Sequence, residues 1–296
     1  MSAIKKCFPS RWGKEGSIVE ADFSQLEVIG VAFLSQDMNM IEDIENGIDA
    51  HSQSASWLAP FLYASKGYTY ENIREGYLAG DSFFSKFRKQ SKGPRFELQY
   101  GAGYKSIALN NKIPEKAAKG FVESYYGRYW RLKEWQEENI QRVQQAAQHM
   151  GDRSPKGYPA KRSTLVLETG RRFTFIEQDA PDFLVERGVY TSFSPTAIKN
   201  YPSQGFATGD IVPLVMGKLM RKLATKPHLM DKCLTINTVH DSIIFDVHNS
   251  VLEESSALIK ETMEAAPLFI KETFGIEFDL ELPVDVEAGL TWSEVG

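Results

Sequence analysis

Cysteine is nearly missing from this sequence, with only Cys7 and Cys233 among 296 residues. Two such distant thiols exclude a disulfide scaffold and fit a reducing compartment. Long hydrophobic runs are missing as well. No stretch reaches the roughly 20 apolar residues a membrane-spanning helix needs, and the N-terminus carries no apolar leader. There is no internal repeat and no low-complexity segment. A phosphate loop of the G-x-x-x-x-G-K-[ST] type is absent too, because Gly101-Ala-Gly-Tyr-Lys-Ser106 has the wrong spacing.

What is present is an ordinary soluble composition, 42% hydrophobic and 25% charged. The length allows one large domain or two closely packed ones. The net charge of −5 argues mildly against nucleic acid as a partner. Its distribution argues the other way. Residues 84–133 hold 12 Lys/Arg against 3 Glu, and residues 153–172 hold 6 basic residues against 1 acid. Residues 239–296 hold 13 acids against 2 Lys. A basic middle and an acidic end suggest one surface that meets phosphates, although any single run is equally well a solvated face.

Patterning predicts a strand at 17–22 ending on Asp22, then a helix opened by Ser24-Gln25. Residues 38–62 and 69–79 read as helical, and 83–108 as a helix kinked at Pro94, which lacks an N–H. Pro114 starts a helix, and a long one follows to about Met150, with Tyr125, Tyr126, Tyr129, Trp130 and Trp135 as core. Residues 151–161 read as loop. A hairpin over 165–175 turns at Thr169-Gly170. A long helix covers 195–222 with Pro202 near its start. Strands at 234–239 and 242–247 flank a tight turn at His240-Asp241. An amphipathic helix over 251–273, bent or divided at Pro267, and a strand at 282–287 complete the chain.

Arg88, Lys92, Phe96 and Tyr100 recur every fourth residue. Each such step drifts only about 40° around a helix, so the row keeps one face about 18 Å long. Two cations followed by two aromatics suit a nucleoside triphosphate, phosphates first and then sugar and base. The same row also suits a solvated basic face running into core aromatics, so by itself it does not decide. Asp22 at a strand end is either a helix cap or a metal ligand. If its strand neighbours the hairpin of Asp241, the two carboxylates emerge at one sheet edge and can hold two Mg²⁺ about 3.5–4 Å apart.

Taken in order, these segments resemble motifs A, B and C of the family A DNA polymerases. Asp22-Phe-Ser-Gln-Leu-Glu27 is similar to D-Y-S-Q-I-E, and Arg88, Lys92, Phe96, Tyr100 and Gly101 fit R-x3-K-x3-F-x3-Y-G. Val239-His240-Asp241 fits V-H-D, and Asp49-Ala-His51 resembles D-I-H. Asn200-Tyr-Pro-Ser-Gln204-Gly fits N-x-P-x-Q-G, Gly170-Arg171-Arg172 fits G-R-R, and Leu282 to Gly289 resembles the closing strand. The resemblance covers essentially the whole chain. It implies an α+β fold, an antiparallel palm sheet with a mostly helical fingers subdomain. It places palm at 1–50, fingers at 51–160 (motif B helix at about 83–108) and palm again at 161–296.

The resemblance also implies roles. Asp22 and Asp241 would be catalytic metal ligands for two Mg²⁺, with Mn²⁺ as a substitute, and the Phe23 carbonyl would be a further ligand. Gln25 would border the nucleotide site, and Glu27 would crowd a ribose 2′-hydroxyl. His51, Arg88 and Lys92 would grip the triphosphate, and Lys92 would also protonate the leaving pyrophosphate. Phe96 would stack on sugar and base, and Tyr100 would lie beside the templating position. Arg172, Asn200, Gln204 and His240 would contact primer or template DNA. The departures from the pattern are Ile29, Gly93-Pro94, Arg95, Glu97, Thr196 and Ser242, and none removes a main metal ligand.

The chain reaches Asp22 after only 21 residues, where the family is already inside the palm, at a strand like residues 4–8. It shows no thumb and no exonuclease motif. The expected protein is therefore the palm-and-fingers subunit of a split, phage-encoded enzyme in the cytoplasm of a bacterial host. Its partners would be primer-template DNA, deoxynucleotides and a second polypeptide supplying the thumb, with or without a 3′–5′ exonuclease. Two other readings are weighed. A single-subunit RNA polymerase or primase would share the motif at Asp241-Ser242, but Glu27 opposes it. A non-catalytic DNA-binding descendant should have lost a metal aspartate, and both are present.

Overall fold

A computed structural model describes residues 3–295. In chain order, β1 (Gly16–Phe23) leads to α1 (Leu26–Ser35), α2 (Met38–Glu45), α3 (Ala50–Leu62), α4 (Tyr70–Leu78), α5 (Ser82–Gln99) and α6 (Tyr104–Asn111). Then come α7 (Glu115–Arg128), α8 (Trp130–Gln145), β2 (Gln148–Arg153), β3 (Pro159–Val166), β4 (Arg172–Ile176), β5 (Gln178–Asp179), α9 (Asp182–Val185) and β6 (Thr191–Ser192). The rest is α10 (Pro195–Gln204), α11 (Val212–Ala224), α12 (Pro227–Met230), β7 (Cys233–Val239), β8 (Ser242–His248), α13 (Leu252–Glu264), α14 (Ala266–Phe274) and β9 (Val284–Gly289). The α+β class is as expected. The first compact unit joins the chain up to Gly30 with the chain from Ser203 on, and the second runs from Val31 to Pro202. These boundaries fall at 30/31 and 202/203, where the sequence suggested 50/51 and 160/161.

The first unit is built on an antiparallel sheet in the order β7-β8-β1-β9. Side chains alternate between its faces. Val19 and Ala21 of β1, with Ile243, Phe245 and Val247 of β8, are fully buried. On the other face Ile18, Ile244 and Val295 cluster with Val239 and Trp292. Helix α13 packs against β1, β8 and β9, and α11 packs against α13 and α14. The expected division at Pro267 is there, since Pro267 lies in the first turn of α14.

Three further expectations are corrected. Residues 4–8 lie not in a strand but largely in a 3₁₀ turn, Ala3–Cys7. The single helix expected over 195–222 is α10, a π-helical segment Gly205–Ile211, and α11. Pro213 cannot donate to the carbonyl four residues back, so the ladder widens just before it. Pro202 sits inside α10 rather than near its start.

In the second unit α3 is central, packed against α4, α5 and α7. Aspartates start its helices: Asp37 caps α2, Asp49 caps α3 through Ser52, and Asp81 caps α5 through Phe83 and Phe84. Phe121, Tyr125 and Tyr129 gather around Trp57 at 5.8–6.2 Å between ring centroids. Trp130, expected in that core, is instead 54% exposed.

The helix expected over 83–108 is two helices. Its break falls at Gly101 (φ +83°), where a Cβ would come within 2.9 Å of Lys199 and 3.3 Å of Thr196. A left-handed residue this close to α10 must be glycine. Pro94 does not divide α5, which continues past it to Gln99 with Pro94 buried inside. The adjacent Gly93 admits α6, because a Cβ there would lie 2.1 Å from Asn111 Oδ1. Asn111 in turn donates to Glu97 (2.8 Å) and to the Ile107 carbonyl. Two departures from the family pattern, Gly93 and Glu97, are therefore one packing solution.

The long helix expected to reach Met150 ends at Gln145, and the expected loop 151–161 is mostly the β2–β3 hairpin. Arg162 holds Asp152 bidentately across the strands at 2.7 and 3.0 Å, and Gly157 (φ +88°) makes the turn. Charge pairing, not hydrophobic alternation, defines this hairpin.

Candidate active site

In the first unit β1 carries Asp22 to its end and the β7–β8 turn carries Asp241. Asp22 pairs in register with Ser242 on one side and Asp285 on the other. The Asp22 and Asp241 carboxyls lie close enough to perturb each other's titration. Asp22 is solvent-exposed as a residue, yet its carboxyl titrates well above the usual carboxylate range. Desolvation is the largest cause, followed by the charge of Asp241, then Glu20 and Asp285. Asp241 is raised as well, chiefly by desolvation. Two carboxyls that resist joint ionisation share a proton until a cation replaces it.

Both aspartates sit beside strained backbone. Among the described residues, Gln25 (φ 60°) and His240 (φ 55°) are two of the four non-glycine residues with positive φ. Such conformations cost on the order of 1–3 kcal/mol each and persist where the surroundings enforce them. Ser242 Oγ donates to the Val239 carbonyl at 3.0 Å and closes the turn that aims Asp241. Ser24 is pinned to the start of β9 and the residue before it, its N–H on the Pro283 carbonyl and its hydroxyl on Asp285, both at 2.8 Å. Glu27 lies half-buried in the first turn of α1, and Ile29 is core.

The donors here are hard oxygens, the class that takes Mg²⁺. Asp22 and Asp241, with the Phe23 carbonyl, are the groups that could hold a divalent cation, whose charge would relieve the repulsion at Asp22. Among the described residues no three His, Cys, Asp or Glu side chains form a ready cage. Glu20 and Asp285 are neighbours that sequence reasoning missed. Alternation from Asp22 would have found Glu20, but only the β1–β9 register reveals Asp285.

In the second unit the row of four lies on α5, beside His51 of α3. Phe96 stacks on Tyr100 at 6.3 Å and meets the His51 ring at 5.8 Å. The His51 carbonyl accepts from Ser91 Oγ at 2.7 Å. Lys92 is lowered below its ordinary value by desolvation and by Arg88. Arg88 is held by Asp49 at 2.7 Å through both Nε and Nη2. Burial alone would raise Asp49, but the hydrogen bonds from Arg88 and Ser52 hold it well below the carboxylate range. Arg95, another departure, is 1% exposed and donates to the Ala50 carbonyl and Ser54 Oγ. It binds α5 to α3.

His51 is lowered from 6.5 to about 4, by burial first and then by Lys92, Arg88 and Arg95. At neutral pH the imidazole is therefore uncharged. As the pH falls from 6.5 towards 4, the unfolded chain takes up this proton before the folded one does. Stability should fall across that window and level off below it. After allowance for solvent screening, we expect a loss of about 1–2 kcal/mol. Urea midpoints of the wild type and His51→Gln at pH 7 and pH 4.5 check this, since the variant should lose less.

Arg172 on β4 is exposed, and Asn200 and Gln204 on α10 and His240 in the turn are at least partly accessible. The sequence-predicted residues thus fall into two groups. Asp22, Phe23, Gln25, Glu27, Gln204, His240 and Asp241 belong to the first unit, and His51, Arg88, Lys92, Phe96, Tyr100, Arg172 and Asn200 to the second.

The model of DNA polymerase family A matches residues 1–294. The chain belongs to that family. It is 29% identical over 292 residues to DNA polymerase I of Lactococcus lactis subsp. cremoris, covering 98% of this chain and 27% of that protein. To DNA polymerase I of Bacillus subtilis it is 26% identical over 279 residues, 94% of this chain and 26% of that one. The chain thus spans about a quarter of the length of these relatives. Its fold resembles the POL domain of Pol1 from M. smegmatis, solved in complex with DNA primer-template and dNTP. The TM-score is 0.65 at 21% identity, covering 98% of this chain and 42% of that one. No described helix is long and apolar enough to cross a membrane.

Proposed function

We propose that this family A chain is the palm and fingers of a DNA polymerase, adding deoxynucleotides to the 3′-hydroxyl of a templated primer. The observation that carries this reading is the interacting pair of Asp22, at the end of β1, and Asp241, in the β7–β8 turn of the same sheet, each with a raised pKa. The names of the relatives and the primer-template and dNTP bound to the M. smegmatis domain support it.

In the reaction the primer 3′-oxygen forms a bond to the α-phosphorus, and the bond from that phosphorus to the bridging oxygen breaks, releasing pyrophosphate. Asp22, Asp241 and the Phe23 carbonyl would hold two Mg²⁺. When bound, these ions make the hydroxyl more acidic and neutralise charge on the phosphate oxygens. Arg88, Lys92 and the neutral His51 donate to the triphosphate. Lys92, already lowered in pKa, gives its proton to the departing pyrophosphate. Phe96 takes the sugar and base, and Gln25 borders the nucleotide. Tyr100 meets the templating position, while Arg172, Asn200, Gln204 and His240 position the DNA. A thumb to hold the duplex has to come from sequence beyond these 296 residues. The partner proposed for this is a second polypeptide, and primer extension is to be assayed with that sequence present.

The carboxylate of Glu27 would crowd a ribose 2′-hydroxyl. Replacing it by Ala should therefore raise ribonucleotide incorporation by about 10–100-fold relative to deoxynucleotide. Single-nucleotide kcat/KM for both substrates tests this. Unchanged discrimination would remove Glu27 from the site. Efficient ribonucleotide use by the wild type would turn the reading to an RNA polymerase or primase. Binding of primer-template without synthesis would turn it to a non-catalytic subunit.

A further inference from the structure

We propose that Tyr77, on α4, is a positioning residue that holds the guanidinium of Arg88 with one donor edge turned towards the phosphates of the incoming nucleotide. This rests on the polymerase reading above and adds an element that the reading does not use.

A guanidinium has five N–H donors in a rigid planar fork. One edge of Arg88, Nε and Nη2, is taken by the two oxygens of Asp49, each at 2.7 Å. The Cζ of the same group lies over the face of the Tyr77 ring, 4.3 Å from its centroid. A held edge and a centre fixed over a ring together restrict the orientation of a planar group. With Nε and Nη2 committed to Asp49, the Nη1 donors are the ones proposed for the phosphates. Only 17% of the Arg88 side chain is exposed, so other rotamers have little room.

The clasp is itself held. Asp49 Oδ2 accepts the Ser52 N–H at 2.9 Å, and the Asp49 N–H donates to the hydroxyl of Tyr70, in the first turn of α4, at 3.1 Å. Arg74, one turn before Tyr77, lies 3.9 Å from Asp49 and 5.8 Å from the Tyr77 ring. Aromatic contacts tie α4 and its approach to α5: Tyr68 meets Phe84 at 5.2 Å, and Tyr63 meets Phe87 at 5.0 Å. Each end of α4 therefore touches one member of the Asp49–Arg88 pair, and its interior side rests on rings.

The test uses the full chain with the thumb sequence and primer-template present. Tyr77→Leu keeps the packing but removes the ring face, and Tyr77→Phe keeps the face. We expect Tyr77→Leu to raise dNTP Kd and KM by about 3–30-fold with kcat changed less than twofold, and Tyr77→Phe to match the wild type. In an Arg88→Ala background, Tyr77→Leu should add nothing, because its effect runs through Arg88. Several results would overturn the proposal: wild-type Kd in Tyr77→Leu, failure of Tyr77→Phe to rescue, an additive double variant, or a fall in kcat that tracks a lower Tm. A wild-type protein that binds no dNTP would overturn the polymerase reading along with it.

Discussion

Asp241→Asn should abolish nucleotide addition, lowering kcat on the order of 10³-fold or more, while the protein stays folded. The substitution keeps the shape of the side chain at the β7–β8 turn. It removes one of the two carboxylates that crowd each other beside Glu20 and Asp285. Because that crowding opposes ionisation in the folded state, the amide should leave Tm unchanged or slightly raised. Asp22→Asn should behave alike. Single-turnover extension together with a melting curve separates the outcomes. Near-normal synthesis by Asp241→Asn would end the assignment of these residues, and a large fall in Tm would mean that the activity loss reports misfolding. Primer-template binding should survive, because the residues proposed to contact DNA are untouched.

The two aspartates were legible because Asp22 ends one run of β-formers and Asp241 sits in a two-residue turn between two others. The row on α5 was legible because its spacing matches the helix, whatever Pro94 does. What escaped were pairings between distant segments. Asp285 faces Asp22 only through the β1–β9 register, which local patterning does not contain. Asp49 was read as a neighbour of His51, and its bidentate hold on Arg88, 39 residues away, has no local signal. Gly93 and Glu97 looked like departures from a helix that needs neither of them. They make sense once Asn111 is seen to cross at that point.

Element limits failed for physical reasons of the same kind. The stretch 151–161 is polar and turn-rich, so it read as loop, whereas an Arg162–Asp152 pair organises it as a hairpin. The long helix through 205–211 kept its periodicity, but Pro213 forces the π-turn that periodicity cannot show. Trp130 belongs to an aromatic run whose other members are core. It begins α8, where the chain turns from α7 and the side chain faces out.

Asp43→Ala should cost about 3 kcal/mol, the largest stability loss expected outside the apolar core. Asp43, at 6% exposure, accepts from four donor groups: Arg128 through Nε (2.8 Å) and Nη2, Tyr129 Oη (2.8 Å) and Gln53 Nε2 (2.8 Å). Burial pushes this carboxyl up, but those hydrogen bonds outweigh it and hold the pKa below its ordinary value. Stability from this group is therefore present at neutral pH and lost as the pH falls below 3.8. Removing one member of a buried charged cluster costs about 3–5 kcal/mol, because its partners stay buried and unpaired. The lower end applies here, since the Arg128 side chain is 39% exposed and can turn to water, while Tyr129 and Gln53 cannot. Asp43→Asn keeps an acceptor and the volume and should cost about 1–2 kcal/mol. Because Asp43 joins α2 to α3 and α7, and α3 carries both His51 and Asp49, the Ala variant should also weaken dNTP binding. Denaturant midpoints for the Ala and Asn variants decide the point, and a loss under about 1 kcal/mol for Ala would show that α3 is held in place by its apolar packing alone.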